Sequence, residues 1–349
     1  MTFLNNIISG IDNTDVLAEG KNSSEFSGSI DTGSYILNAA LSGSLYGGVP
    51  NNKITAFAGE SATGKTFFVL GVIRQFLQDN PEGGVIYFDT EAAVTKSMME
   101  DRDIDISRVV ISEPQSIEEF RTNAVRMLDS YNDGNEKPPM MMVLDSLGML
   151  SSVKELEDVE SGKQARDMTK AQLLRGTFRV LSLKLAKANV PLLVTNHVYD
   201  VVGAYIPTKE ISGGSGLKYA ASSIAMLGKK KDKDGTDVIG NIIKVTMHKS
   251  RFTKENKKVE VKLSYDKGLD RYYGLLDLAE KYNVIKKVST RYELPDGTKV
   301  FGKNINEDPE KYFAPLMEQL EKCANQEFKY GKPEKDVMIE EELEDGTVE

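Results

Sequence analysis

Cysteine is all but missing from this chain: Cys323 is the only one in 349 residues. That excludes an intrachain disulfide, gives no basis for a thiolate metal cluster, and points to a reducing cytoplasm as the expected setting. Long apolar runs are missing too. No stretch of about 18 apolar residues occurs, and Met1 to Gly10 has neither a basic opening nor an apolar segment of signal-peptide length. Neither secretion nor a membrane partner is expected. Positive charge is short overall, with a formal net charge of -9. Taken alone this argues against nucleic acid, whose phosphates are met by Lys and Arg. The distribution reverses it. Residues 334–349 carry eight carboxylates against Lys335 alone, whereas residues 229–262 carry eleven Lys or Arg against five Asp or Glu. The acid belongs to a tail, expected to be solvated and disordered, and the base to a stripe before it.

What is present describes an ordinary water-soluble protein, with 40% hydrophobic and 28% charged residues. The length suits one large α/β domain with appendages or two modest domains. Residues 1–30 are polar and weakly periodic and read as an arm. After them, apolar runs at Lys53 to Ala58, Gly84 to Phe88, Met140 to Leu144 and Pro191 to Thr195 predict buried strands. Helical spacing at Lys65 to Leu77, Glu118 to Tyr131 and Thr169 to Ala188 predicts the helices between them. Such alternation implies a mostly parallel sheet covered on both faces, with ligands at the carboxyl ends of its strands. From Ala225 onward shorter alternating strands, among them Ile242 to Met247 and Val259 to Leu263, predict an antiparallel extension. Leu275 to Tyr282 and Phe313 to Cys323 predict a small α-rich C-terminal part.

One motif carries specific chemistry. Gly59-Glu60-Ser61-Ala62-Thr63-Gly64-Lys65-Thr66 fits G-x-x-x-x-G-K-[ST] between a predicted strand and a predicted helix, the context a phosphate-binding loop requires. The glycines let backbone N–H groups close around phosphates at a helix N-terminus; Lys65 neutralises β- and γ-phosphate charge, and Thr66 offers a hydroxyl to Mg2+. ATP and Mg2+ are therefore the expected ligands. A second carboxylate near the metal belongs at the end of a neighbouring apolar strand, where Asp145 stands, with Ser146 beside it; the bland alternative for Asp145 is a helix N-cap. Hydrolysis also needs a group that deprotonates water. Glu91, at the end of Val85 to Phe88 and Asp89-Thr90, is the expected general base and Asp89 its support; alone, Glu91 would read equally as a surface carboxylate.

Taken with their order along the chain, these residues resemble the RecA family of recombinases, and more narrowly its UvsX branch in T-even-like phages. The resemblance runs from about Asp31 to Val288. Besides the motifs above it includes Thr32-Gly33, Gly47-Gly48, Thr195-Asn196-His197, Ser212 to Tyr219, His248-Lys249-Ser250-Arg251 and Gly274 to Ala279. It implies a RecA-type P-loop ATPase core, a helical self-assembly on DNA and ATP bound between subunits. It also implies that His197, which stands where bacterial relatives have Gln, senses the γ-phosphate. An imidazole gains a proton in mildly acid solution where a carboxamide does not. The ring that the family stacks on adenine is not evident, since Lys96 to Met99 offers none.

Two polar, glycine-containing stretches, about 152–168 and 198–216, are longer than compact domains keep without function, and the resemblance makes them DNA-binding loops. Gly213 and Gly214 would present N–H groups to phosphate, Arg175 and Arg179 would flank the first loop, and Tyr205 would stack on bases. The solvated-face reading of the arginines and a self-packed Tyr205 stay open. By the same resemblance Lys249 and Arg251 reach the γ-phosphate of the adjacent subunit, Lys218 and Tyr219 sit at that interface, and the arm docks on the next core with Phe26 as anchor. Lys229 to Lys231 with Lys233, and Lys254 with Lys257 and Lys258, read as solvated turns or as guides for a second DNA.

The expected organisation is an arm (1–30), an ATPase core (31–275), a small C-terminal domain (276–330) and an acidic tail (331–349). The expected activity is DNA-dependent ATP hydrolysis coupled to homologous pairing of single-stranded with double-stranded DNA. A single-strand-binding protein and a mediator protein are the further expected partners. A hexameric helicase and a non-exchanging ATPase scaffold are the alternatives.

Overall fold

The apolar runs become strands because both of their faces are covered. All of Ile54–Gly59 is buried, and so is Met140–Asp145 beyond its first residue. Successive side chains of a strand point to opposite faces. Met141 and Val143 accordingly join one hydrophobic cluster, with Phe57, Phe68 and Tyr87, while Met142 and Leu144 join another, with Phe88, Phe120 and Phe178.

The structure is a computed structural model that describes residues 28–162, 169–200, 209–212, 215–234, 237–264 and 268–331, together with Phe3 and Ile7. Among these the chain runs β1 (Ser29–Ile30), α1 (Tyr35–Ser42), β2 (Val49–Pro50), β3 (Ile54–Gly59), α2 (Lys65–Asp79), β4 (Gly84–Asp89), α3 (Lys96–Glu100), β5 (Val109–Ser112), α4 (Ile117–Asp133), β6 (Met140–Asp145), α5 (Val153–Glu160), α6 (Lys170–Ala188), β7 (Leu192–Asp200), β8 (Lys209–Ile211), α7 (Ser215–Ala220), β9 (Ser223–Asp234), β10 (Asp237–Ser250), β11 (Lys258–Ser264), β12 (Gly268–Leu269), α8 (Leu275–Lys281), β13 (Lys286–Val288), β14 (Arg291–Glu293), β15 (Lys299–Phe301), α9 (Gly302–Glu307), α10 (Pro309–Phe313) and α11 (Met317–Phe328).

The central sheet has ten strands, ordered β12-β11-β10-β9-β3-β7-β6-β4-β5, with β8 added to β7. From β9 through β3, β7, β6 and β4 to β5 the pairings are parallel, and from β9 to β12 they are antiparallel. This is the α/β class, with the mostly parallel sheet and antiparallel extension expected. The α2 helix packs on one face, and α4 with α6 on the other. The carboxyl ends of β3, β7, β6 and β4 thus lie side by side.

Three elements differ from the sequence-based expectation. Two of the strands beyond Ala225 are long rather than short, whereas β11 covers the expected Val259 to Leu263: β9 and β10 pair from Ser223↔Ser250 to Asp234↔Asp237, so Lys229 to Lys231 lie along a strand instead of in a turn. All three are exposed, a position an ammonium on a long aliphatic stem suits. Lys254 and Lys257 are pinned, to Gln326 O and to Glu327 at 2.7 Å each. The stretch expected as the first loop contains α5, started by a capping box in which Ser152 and Glu155 satisfy each other's backbone N–H. Residues 163–168, with 201–208 and 213–214 of the second loop, lie outside the described residues, as does the acidic tail beyond 331.

The C-terminal elements share the core rather than building their own. Ile305, Phe313, Leu320, Ala324 and Phe328 join the cluster that holds Leu37, Leu41, Val245 and Val261. Glu327 locks this arrangement: one carboxylate oxygen accepts from Lys257 Nζ at 2.7 Å, the other from Lys281 Nζ and Tyr282 OH at 2.8 Å each. Burial opposes its ionisation, but these three donors outweigh burial and bring the carboxyl down from 4.5 to about 2. A depressed folded-state value contributes stability above pH 4.5 that is lost as the pH falls toward about 2. Urea unfolding of Glu327→Gln should show lower stability than the parent at pH 6, with the difference shrinking progressively below the ordinary carboxyl range.

Candidate functional site

The phosphate loop is shaped by what its glycines permit. A side chain at Gly59 would meet Leu227 O at 2.8 Å and Thr63 Oγ1 at 2.9 Å, and Gly64 has φ 87°, so a left-handed backbone delivers the chain into α2. Ala62 takes φ 59°, while Thr63 Oγ1 donates to Glu60 O at 2.9 Å and closes the turn. Phe68 N–H is bonded to Gly64 O at 2.9 Å. The N–H groups of Lys65, Thr66 and Phe67 precede it in the first helical turn, which leaves them to an anion. Lys65 folds back, donating to Gly59 O at 3.1 Å and Glu60 O at 2.9 Å. Burial lowers its pKa, against the pull of Glu91 and Asp145.

At the end of β6, Asp145 is held by three hydroxyls from three different elements. Thr66 donates to Oδ2 at 2.8 Å, Tyr87 to the same oxygen at 2.6 Å, and Thr195 to Oδ1. Burial and the charge of Asp145 push the Tyr87 phenol well above its usual range, so it remains a donor. The expected neighbour Ser146, joined to Asp145 by a cis peptide bond, donates to Glu91 Oε1 at 2.6 Å. The carboxylate of Asp89 accepts the N–H groups of Glu91 and Val94, at 3.0 Å each, and so shapes the turn that presents Glu91. Thr90 bonds both backbone groups of Ser146. Burial opposes ionisation of Glu91, but Ser146, His197 and Lys65 outweigh it and lower its pKa below 4.5.

The donor set fits a hard cation. Thr66 Oγ1 and Asp145 Oδ2 lie 2.8 Å apart beside the loop, and Mg2+ takes one or two protein oxygens and completes its shell with phosphate and water. Among the described residues no group of three or more His, Cys, Asp or Glu could hold a metal alone.

His197 joins this centre to the second expected loop. Its Nε2 lies 3.0 Å from Glu91 Oε1 and its Nδ1 3.4 Å from Lys65 Nζ. Its carbonyl accepts from Ser212 N–H at 2.9 Å, and Asn196 Nδ2 donates to Ser212 O at 2.7 Å. Beyond it β7 pairs with β8 through Val198↔Ile211 and Tyr199↔Glu210. The segment leading to the first expected loop lies against the same root, since a side chain at Gly148 would lie 3.2 Å from Asn196 Oδ1 and 3.3 Å from Ser212 Oγ.

The remaining predicted residues are elsewhere. Arg175 and Arg179 are exposed on one face of α6. Lys249, placed at the end of β10 by a bulge after Met247, donates to the carbonyls of Lys218, Tyr219 and Ala221 at 2.7, 3.3 and 2.7 Å. Arg251 reaches Tyr219 O at 3.5 Å. These cations cap the C-terminal end of α7, whose Tyr219 is 71% exposed. Burial lowers the Lys249 pKa, with Arg251 adding to it. Tyr205, Gly213, Gly214 and Phe26 lie outside the described residues. Three contributors were not anticipated. Tyr87 and Thr195 sit inside apolar strands, where the polar handle of a tyrosine is the available signal. Lys229, which donates to Ala62 O, becomes a loop contact only through the pairing of β9 with β3.

Removing one hydrogen bond to a buried carboxylate costs about 1.5–3 kcal/mol. Tyr87→Phe should lose stability of that order in urea unfolding without nucleotide, with the native fold retained by circular dichroism.

Comparison with known proteins places the chain in a family. The profile of the RecA N-terminal domain matches residues 2–270. The recombination and repair protein of Enterobacteria phage T4 is 31% identical over 252 residues, covering 72% of this chain and 63% of the phage protein; the match therefore spans less than two thirds of that relative. Protein RecA of Malacoplasma penetrans is 25% identical over 303 residues, 86% of this chain and 88% of the relative. Protein RecA of Chloroherpeton thalassium is 31% identical over 265 residues, 74% and 69%. With its phosphate loop, its strand-end acids and a profile match over most of its length, the chain belongs to the RecA family.

Proposed function

We propose that this chain is an ATP-dependent DNA recombinase that polymerises on single-stranded DNA and pairs it with a homologous duplex. The names of its relatives, recombination and repair protein and RecA, favour this over a helicase or an inert scaffold. The observation that carries it is the continuity of one strand: β7 brings His197 to Glu91 and Lys65, then enters the hairpin with β8.

ATP would lie with its phosphates on the N–H groups of the loop Gly59 to Thr66. Bound Mg2+, held by Thr66 and Asp145, supplies charge neutralisation on the phosphates. Lys65 exchanges the carbonyls of Gly59 and Glu60 for phosphate oxygens, which frees the nearby His197. Glu91, kept ionised by Ser146 and His197, accepts the proton of the attacking water. Lys249 and Arg251 lie on an exposed edge with Lys218 and Tyr219, and a neighbour's γ-phosphate would replace the α7 carbonyls as their partner. A cation supplied in trans is worth several powers of ten in rate. The arm before Asp31 would dock on the next core; the edge strand β5, with Val110 54% and Ile111 43% exposed, offers it unpaired backbone and apolar contact. Arg175 and Arg179 supply phosphate contacts. A single-strand-binding protein and a mediator fit as partners, and the cytoplasm as location; among the described residues no helix is long and apolar enough to cross a membrane.

With circular single strand and homologous linear duplex, ATP should support joint molecules that heterologous duplex does not; unwinding of a forked duplex without a homologous strand would select the helicase instead. Glu91→Gln should lower phosphate release by about 10²–10⁴ while ATP-dependent assembly on oligonucleotides persists.

A further inference from the structure

The two cations that cap α7, Lys249 and Arg251, are separated along the chain by one residue, Ser250. Ser250 is buried, and each of its polar groups is engaged. Its N–H donates to Glu255 Oε1 at 3.2 Å, its carbonyl accepts from Tyr330 OH at 3.3 Å, and its Oγ accepts the Thr253 N–H at 2.9 Å. The fully buried Thr253 holds its hydroxyl 2.8 Å from the same Oγ and donates to Ala40 O at 2.7 Å. Ala40 stands in the last turn of α1, where carbonyls have no partner within the helix, so the turn after β10 is fastened to that helix end.

The segment that ends α11 holds the other side of this turn. Lys254 donates its N–H to Phe328 O and its Nζ to Gln326 O, at 2.7 Å each, and Thr253 forms an antiparallel bridge with Lys329. The Lys329 stem crosses the end of α1, where a side chain at Gly43 would collide with it. A turn that only joined β10 to β11 would need no partner outside the hairpin. This one takes partners from α1 and from the C-terminal segment, and they converge on the residue between the two cations. Long side chains lose rotamer freedom when they meet a ligand, and a backbone fixed on both sides of Lys249 and Arg251 removes one source of that loss.

We propose that Thr253 and Tyr330 are positioning residues for Lys249 and Arg251, so that the segment Phe328 to Tyr330 sets how one protomer presents its cations to the nucleotide of the next. The proposal rests on the reading of Lys249 and Arg251 as cations supplied in trans. Neither Thr253 nor Tyr330 reaches the nucleotide; both act through Ser250. A shift of about 1 Å in a group that meets the reacting atoms can cost on the order of a hundredfold in rate. The consequence is asymmetric: a defect at Thr253 harms hydrolysis on the neighbouring protomer and spares the nucleotide held by the same chain.

Mixing two full-length variants on a single-stranded oligonucleotide reads this asymmetry. The first, Lys249→Ala with Arg251→Ala, keeps its phosphate loop and offers no cations; the second, Lys65→Ala, offers cations and lacks the phosphate-loop lysine. Each should be inactive alone, and phosphate release should return on mixing, at seams where the second presents its cations to ATP on the first. No recovery would reject the trans reading, and the proposal with it. Thr253→Val added to the second variant should lower the recovered release by about ten- to a hundredfold; added to the first, it should change nothing. Thr253→Ser, which keeps the hydroxyl, should preserve the release in either placement. Equal losses in both placements would mean that Thr253 serves the fold at large and would overturn the proposal, as would no loss in either. Tyr330→Phe removes a single hydrogen bond from a half-exposed ring, so folding is not at stake. In the second variant it should cost about two- to tenfold and in the first nothing; unchanged release in both would overturn the role given to the C-terminal segment.

Discussion

The carboxylate of Asp145 is the constraint around which the rest is arranged. It is 4% exposed, and a buried charge is tolerated only when hydrogen-bonded or paired. Its partners are hydroxyls of Thr66 on α2, Tyr87 on β4 and Thr195 on β7. One ionised group therefore ties the start of the phosphate-loop helix to three neighbouring strand ends. Hydroxyls suit this position because they satisfy the carboxylate without neutralising it, which leaves its charge for a cation. A lysine or arginine in the same place would do the opposite.

From that tie the geometry passes outward in two directions. Glu91 is linked to the end of β6 through Ser146 and to β7 through His197, and both meet the same carboxylate oxygen, Oε1. The β7 strand then carries the position of His197 into the β7–β8 hairpin, with Asn196 and Ser212 fastening its root. Lys65, meanwhile, satisfies itself on carbonyls of its own loop.

The cations of the chain divide by partner. Lys254, Lys257 and Lys281 serve the C-terminal helix, chiefly through Glu327 and the carbonyl of Gln326. Lys249 and Arg251 cap α7. Lys229 braces the phosphate loop. The basic stretch visible in the composition is therefore several structures with different duties, and net charge says little about any of them.

The sequence by itself determined the sheet class, the phosphate loop and the acids Glu91 and Asp145, because apolar runs and the spacing of Gly59, Gly64 and Lys65 are local patterns that survive without knowledge of neighbours. Asp89 was legible as support for the same reason, being two residues from Glu91. The tertiary structure alone decided the hydroxyl cage of Asp145, the reach of Lys229 to Ala62, the length of β9 and β10 and the helix within 152–168. Each of these depends on residues far apart in the chain meeting through sheet order, or on a cap outweighing a polar composition. Strand order is set by the packing of both sheet faces at once, and no window of sequence contains that information.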